Sequence, residues 1–151
     1  MKSNRLPESV LTPIVHLLVR KGDAVLMLER TNTGYNDGYY GLIAGHKKSH
    51  EKVTDAIIRE AKEEADIALQ LSDIHFVHAL HRLRGEDTDE RIDLFFTTKT
   101  WLGEIKNVES HKHSELKFFP LDKLPDNTVP FIKSAIEHIE NNHYFSEFSE
   151  I

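Results

Sequence analysis

Apolar and polar positions change their period several times along this chain, and each change marks an element. Residues 10–19 and 24–29 are apolar-rich runs separated by Arg20-Lys21-Gly22-Asp23, which predicts two strands joined by a hairpin turn. Pro13 has no amide hydrogen for a ladder, so the first strand begins irregularly or lies partly at an edge. Residues 30–38, RTNTGYNDG, read as a polar loop, and YYGLIA at 39–44 as a short strand that delivers the chain to Gly45. From about Lys52 to Ala65 there is no Gly or Pro and an abundance of helix formers, which predicts a helix. At about 100° per residue, Val53, Ala56 and Ile57 share one stripe of it, and Glu60, Glu63 and Glu64 continue that stripe.

Beyond the helix the period returns to two. Residues 74–83, IHFVHALHRL, are partly apolar on both faces, as in an interior strand. His75 and His81 point opposite to His78 there, so the three histidines are separate strand residues rather than a metal site. A charged turn at 84–91 leads to a strand at 92–100, with Ile92, Leu94 and Phe96 alternating, and Trp101 ends it. A polar loop at 103–113 closes with Glu115 entering a short strand, LKFFPL. Residues 121–125 read as a turn of helix. Pro130 then opens a helix at its favoured first position, with Phe131, Ile132, Ala135, Ile136 and Ile139 as its apolar stripe. Phe145 and Phe148 lie past it and dock on the body or on a partner chain. Hairpins with only two sizeable helices give an α+β class.

Composition narrows the function. The 151 residues suit one domain, with its core at about 10–140; 39% are hydrophobic and 29% charged, as in soluble globular proteins. The net charge of −6 argues against a nucleic-acid polymer as partner, which needs a basic face, but not against a small phosphorylated ligand. No cysteine is present, which excludes disulfides and thiol chemistry. No apolar run is long enough to span a membrane, and MKSNRLPESV lacks the apolar core of a signal peptide, so a cytoplasmic location is the default expectation.

Carboxylates at i, i+3 and i+4 repel one another, and a hard divalent cation, Mg²⁺ or Mn²⁺, is the simplest remedy. Arg59 lies one turn before Glu63 and can pair with it. A solvated charge run is the plainer alternative.

The stretch GHKKSHEKVTDAIIREAKEEADI, Gly45 to Ile67, resembles the Nudix box of the MutT-like pyrophosphohydrolases. Gly45, Glu51, Arg59, Glu60, Glu63, Glu64 and Ile67 fall on that pattern in register. Ala61 stands where the pattern has a bulkier aliphatic, and Asp66 replaces a closing glycine at a helix C′ site of left-handed conformation. His50 stands where many relatives have another glycine, so the turn there is open to change.

The resemblance implies a Nudix α/β/α sandwich with a central mixed sheet. It implies metal-dependent hydrolysis of a nucleoside diphosphate derivative by water attacking phosphorus. Glu60, Glu63 and Glu64 would bind metal, Gly45 would lend its carbonyl, and Glu51 would bind metal or complete the second sphere, unless it is a plain helix-start acid. Glu60 is a candidate general base and Arg59 orients Glu63. Glu115 is the acid to watch in the second half, as base, further metal ligand or surface acid. Tyr35, with Arg30 at the start of its loop, is a candidate substrate contact; a turn aromatic shielding the core is the other reading. The basic run His46 to His50 is a solvated loop or a phosphate attractor. A nucleoside triphosphate, cleaved to monophosphate and pyrophosphate, is the expected substrate. A dinucleotide, a nucleotide sugar, or a sensing domain without turnover are the alternatives. Homodimers are common in that family.

Overall fold

The computed structural model describes residues 8–85 and 90–151. The expected turn at 84–91 and the first ten residues lie partly outside them. Strand β1 (Leu11–Lys21) is the spine of a mixed sheet. It runs parallel to β6 (Glu90–Thr98) from Leu11↔Glu90 to Val19↔Thr98. Its other edge is shared. β4 (Ile43–His46) pairs antiparallel with residues Ile14 to Leu17, and β2 (Ala24–Arg30) with Arg20 and Lys21 across the two-residue turn Gly22-Asp23. Pro13 lies just past the β4 ladder, where its carbonyl accepts from Lys47 at 3.5 Å and its missing amide hydrogen costs little. β3 (Tyr40–Gly41) and β7 (His113–Pro120) flank β2, while β5 (His75–Leu83) pairs with β6 and with β8 (Phe145–Ser149).

Alternation along β1 and β2 makes the layers. Val15, Leu17, Val19, Leu26 and Leu28 face α1 (Val53–Ala65), packing on Ala56, Ile57, Ala61 and Ala65. Leu18, Val25 and Met27, with Leu80 and Phe95, face α2 (Pro130–Glu140), where Phe131, Ile132, Ala135, Ile136 and Ile139 are all buried. Each fully buried Leu, Ile or Phe contributes about 1.5–3 kcal/mol. The result is the α/β/α sandwich. Ala61, at 0% exposure, allows α1 to approach the sheet closely. Asp66 ends α1 at φ 58, the left-handed cap, and pairs with Lys62 at 2.7 Å.

Several expectations are corrected. The single strand at 39–44 breaks at Leu42 into β3 and β4, because its halves pair with different strands, and Gly45 lies inside β4 rather than in a loop. Residues 121–125 form a turn without a helix. A bulge between Phe76 and His78 shifts the parity of β5. His75, opposite Thr97, and His78, opposite Phe95, therefore fall on the same face rather than on opposite ones, His75 exposed and His78 buried. Phe145 and Phe148 belong to β8, a strand that its short polar-apolar mixture did not announce. Among the described residues no helix is long and apolar enough to cross a membrane.

Candidate active site

A cleft of about 750 Å³ opens where α1, β4, the 31–39 loop and the start of β7 meet. Glu60 and Glu64 lie along the buried side of α1, each 8% exposed, whereas Glu63, a quarter-turn away, sits exposed at the rim. The acidic stripe is therefore split rather than wholly inward. Glu64 accepts a hydrogen bond from the Ala44 amide at 2.9 Å. Burial pushes its carboxyl well above the ordinary range, and the charge of Glu60 adds to the rise. Burial also raises Glu60, against the opposing pull of Arg59. The Glu60 carboxylate lies so close to Gly45 that any Cβ there would collide with it, which is why a glycine occupies this strand position.

Arg59 organises the loop before the helix. Its Nε and Nη2 donate to Glu51 at 2.8 and 3.0 Å, Nη1 to Glu60 at 2.8 Å and to Glu63 at 3.2 Å, and Nη2 to the His46 carbonyl at 3.1 Å. The expected Arg59–Glu63 pair is present, but Glu51 takes the two-pronged grip of the guanidinium. That grip brings the Glu51 carboxyl down to about 2, with help from the Lys48 amide at 2.9 Å. His50 adopts φ 63, so the turn keeps the backbone a glycine would take, with a side chain in its place.

These residues fit a hard divalent cation by their chemistry. Two buried carboxylates repel each other, oxygen donors are what Mg²⁺ and Mn²⁺ take, and the backbone at Gly45 is stripped of any side chain beside them. Among the described residues no three His, Asp or Glu groups already converge on one point. Glu60 instead holds the Arg59 guanidinium as its cation.

Tyr35 and Arg30 both line the cleft. Their loop is cross-braced by Asp37, which accepts from the Thr33 amide at 3.0 Å and the Gly34 amide at 2.9 Å, and Arg30 Nε donates to the Tyr35 carbonyl at 2.8 Å. Glu115 does not reach the cleft. It lies within β7 opposite Glu29, where the Tyr40 hydroxyl donates to it at 2.8 Å. The register shift between Glu29 and Arg30 separates it from His113, which does line the cleft. The loop acid that faces Glu60 and Glu64 is Glu109, whose charge helps raise both. Sequence reasoning passed over Glu109 because its loop has no period. It also passed over His16, Arg82 and Phe131, which line the same cleft from strands and a helix where they read as core.

The NUDIX domain family model matches residues 10–139. A protein from Methanocaldococcus jannaschii described as an ADP-ribose pyrophosphatase is 28% identical over 111 residues, 72% of this chain; the match spans 61% of that relative's length. The fold resembles a MutT NUDIX hydrolase from Burkholderia pseudomallei, with TM-score 0.77 and 22% identity over 85% of this chain and 98% of that one. It also resembles a MutT protein from Methanosarcina mazei, with TM-score 0.74 and 21% identity over 90% and 97%.

Proposed function

The chain belongs to the Nudix family, and on that premise we propose that it hydrolyses the diphosphate linkage of a nucleoside diphosphate derivative, a nucleoside triphosphate going to monophosphate and pyrophosphate. The observation that carries this reading is the buried Glu60–Glu64 pair beside Gly45, an arrangement that repels itself until a divalent cation arrives. Glu60, Glu64 and, from the rim, Glu63 would hold Mg²⁺ or Mn²⁺ with the Gly45 carbonyl. The cation supplies charge neutralisation and Lewis acidity at the phosphoryl oxygens.

The chain's own groups do the remainder. Water attacks phosphorus, the bond to the bridging oxygen breaks, and pyrophosphate leaves. Burial raises the proton affinity of Glu60, which suits it to take the proton of the attacking water. Glu109 is the acid from the second half placed to share that work, in the role first expected of Glu115. Arg59 and Glu51 lock the loop between β4 and α1, so the acids are held before substrate arrives. Arg30 and Tyr35 wall the substrate side.

A second reading, ADP-ribose or another nucleotide sugar as substrate, is favoured by the name of the archaeal relative. Formation of the nucleoside monophosphate with Mg²⁺, resolved by chromatography across nucleoside triphosphates, dinucleotides and nucleotide sugars, separates the two. Its companion product is pyrophosphate from a triphosphate and a sugar phosphate from a nucleotide sugar. The triphosphates are expected to give the highest kcat/KM. Glu63→Gln and Glu64→Gln should each lose at least ~10²-fold, since each removes transition-state charge stabilisation. Wild-type rates in both variants would remove the site assignment, and nucleotide binding without turnover would point to a sensor.

A further inference from the structure

Acids occupy the α1 side of the cleft; arginines occupy another end. Arg82 lies in β5, Arg84 one step past its end, and Arg91 in β6 directly across the ladder from Arg82. All three line the cleft. Like charges opposite one another in a ladder are destabilising unless anions sit among them. The structure shows what these guanidinium groups accept. Asp93, 0% exposed, takes Arg82 Nε at 2.8 Å and Nη2 at 3.0 Å, and Arg82 lies 3.8 Å over the Phe131 ring, so this guanidinium is fixed from behind. Its remaining nitrogen, Nη1, lies 3.5 Å from one carboxylate oxygen of Glu150. Arg84 Nε lies 3.7 Å from the other. Glu150, just past β8, thus sets one carboxylate between two cationic groups, although it is not among the residues that line the cleft. The contacts are long, and the Arg84 and Glu150 side chains are partly open to water, so the carboxylate is held loosely. Arg84 also reaches towards the acidic end. Its guanidinium lies 5.2 Å from the centre of the Tyr35 ring, and that of Arg30 lies 5.6 Å from the same ring. Arg30 in turn is near enough for its charge to act on the Glu64 carboxyl. One aromatic ring therefore links the arginine end of the cleft to the acidic end.

Such a cleft suits a ligand with anionic groups at two separate places. On the reading above, the diphosphate goes to the α1 acids and their cation. The next part of a nucleotide is its sugar, and the base beyond it is uncharged at neutral pH. A second anion must then hang from the ribose. Guanidinium groups fit it: they are planar, always charged, and matched to the oxygens of a phosphate. We propose that Arg84, backed by Arg82, forms a second anion subsite that takes a phosphate on the ribose 2′- or 3′-oxygen of the nucleotide, and that Glu150 competes for it. A phosphate monoester brings about −1.5 to −2 charges at neutral pH where Glu150 brings one, so the ligand prevails. The inference rests on the nucleotide reading above and names a substituent of the substrate, one that nucleotide sugars with neutral ends lack.

Adenosine 3′,5′-bisphosphate and adenosine 2′,5′-bisphosphate have no diphosphate linkage, so calorimetry reads their binding without turnover. The better of the two is expected to bind about tenfold more tightly than AMP, as one charge-assisted contact partly exposed to water would give. Arg84→Gln should erase that difference, leaving the two ligands within about twofold of each other. Glu150→Gln removes the competing charge and should widen the difference by about threefold. Matched melting temperatures would show that the variants fold, and the wild-type ratio decides the matter if they do not. Equal affinity for AMP and both bisphosphates overturns the inference whether or not the protein is a hydrolase. So does a preference that survives in Arg84→Gln or is unmoved in Glu150→Gln. Absence of triphosphate turnover with the preference intact would strike the hydrolase reading alone, and turnover without the preference would strike the inference alone.

Discussion

Glu64 is a carboxylate placed where the fold alone would choose hydrocarbon: 8% exposed, bonded to one backbone amide and repelled by Glu60. Glu64→Gln keeps the shape and removes the buried charge, so in metal-free buffer at neutral pH it should raise stability by about 1–2 kcal/mol. Denaturant melts would show this, and a lower midpoint would mean that Glu64 is already compensated. Mg²⁺ should raise the wild-type midpoint and leave that of the glutamine variant nearly unmoved, since only a ligand bound to the native state stabilises it. Gly45 carries the complementary constraint. A methyl group there meets the Glu60 carboxylate and not the backbone, so Gly45→Ala should fold with a near-native melt yet lose roughly 10²-fold in turnover through a misplaced Glu60. Turnover within twofold of wild type would show that Glu60 has room to move.

Among the elements, β8 is held to the sheet by a single strand neighbour and by one histidine. His78 Nδ1 donates to the His143 carbonyl at 2.7 Å, and its Nε2 receives the Ser146 hydroxyl at 2.6 Å. Burial, the largest cause, holds His78 below its ordinary value of 6.5. A group depressed in this way favours the native state while neutral. Its contribution is complete above about pH 6.5 and is lost as pH falls through the lower native value. Hydrogen exchange at β8 amides should therefore lose protection as pH falls below about 6.5, beyond the intrinsic pH trend and ahead of β1. Uniform loss across both strands would show that β8 does not detach as a unit.

At the scale of the whole molecule, function depends on how firmly α1 is clamped between sheet and solvent. Ile57 is 1% exposed and packs where the helix meets the sheet. Ile57→Ala should cost about 2–5 kcal/mol in chemical denaturation. Because the same helix carries Glu60 and Glu64, the folded fraction should also bind Mg²⁺ less tightly. A full-strength metal response in a destabilised variant would separate clamping from catalysis. The mixed sheet carries α1 with the acids on one face and α2 on the other, and one cleft is lined from both, by Glu60 and Glu64 of α1 and by Phe131 of α2 with His16 and Arg82.

The chain by itself determined whatever depends on neighbours a few residues apart. The period of apolar positions placed α1, α2, the β1–β2 hairpin and the strands β5 and β6 to within a few residues, and the left-handed cap at Asp66 followed from a missing glycine. The fixed spacing from Gly45 to Ile67 pointed to Glu60, Glu63 and Glu64 as one stripe, because helix geometry turns sequence separation into angle, and the structure buries the first and last while leaving Glu63 at the rim. Only the tertiary structure decided what depends on chains that meet from far apart. Arg59 turned to Glu51 because the loop folds back over the helix; Glu115 was carried off by a register shift; Glu109 was brought in by a loop of no period. His16 and Asp93 lie 77 residues apart and become partners at 2.8 Å only because β1 and β6 run side by side. Local rules fix the direction of a side chain relative to its own element, whereas its partner is set by which strands pair and in what register, and no spacing along one chain records that.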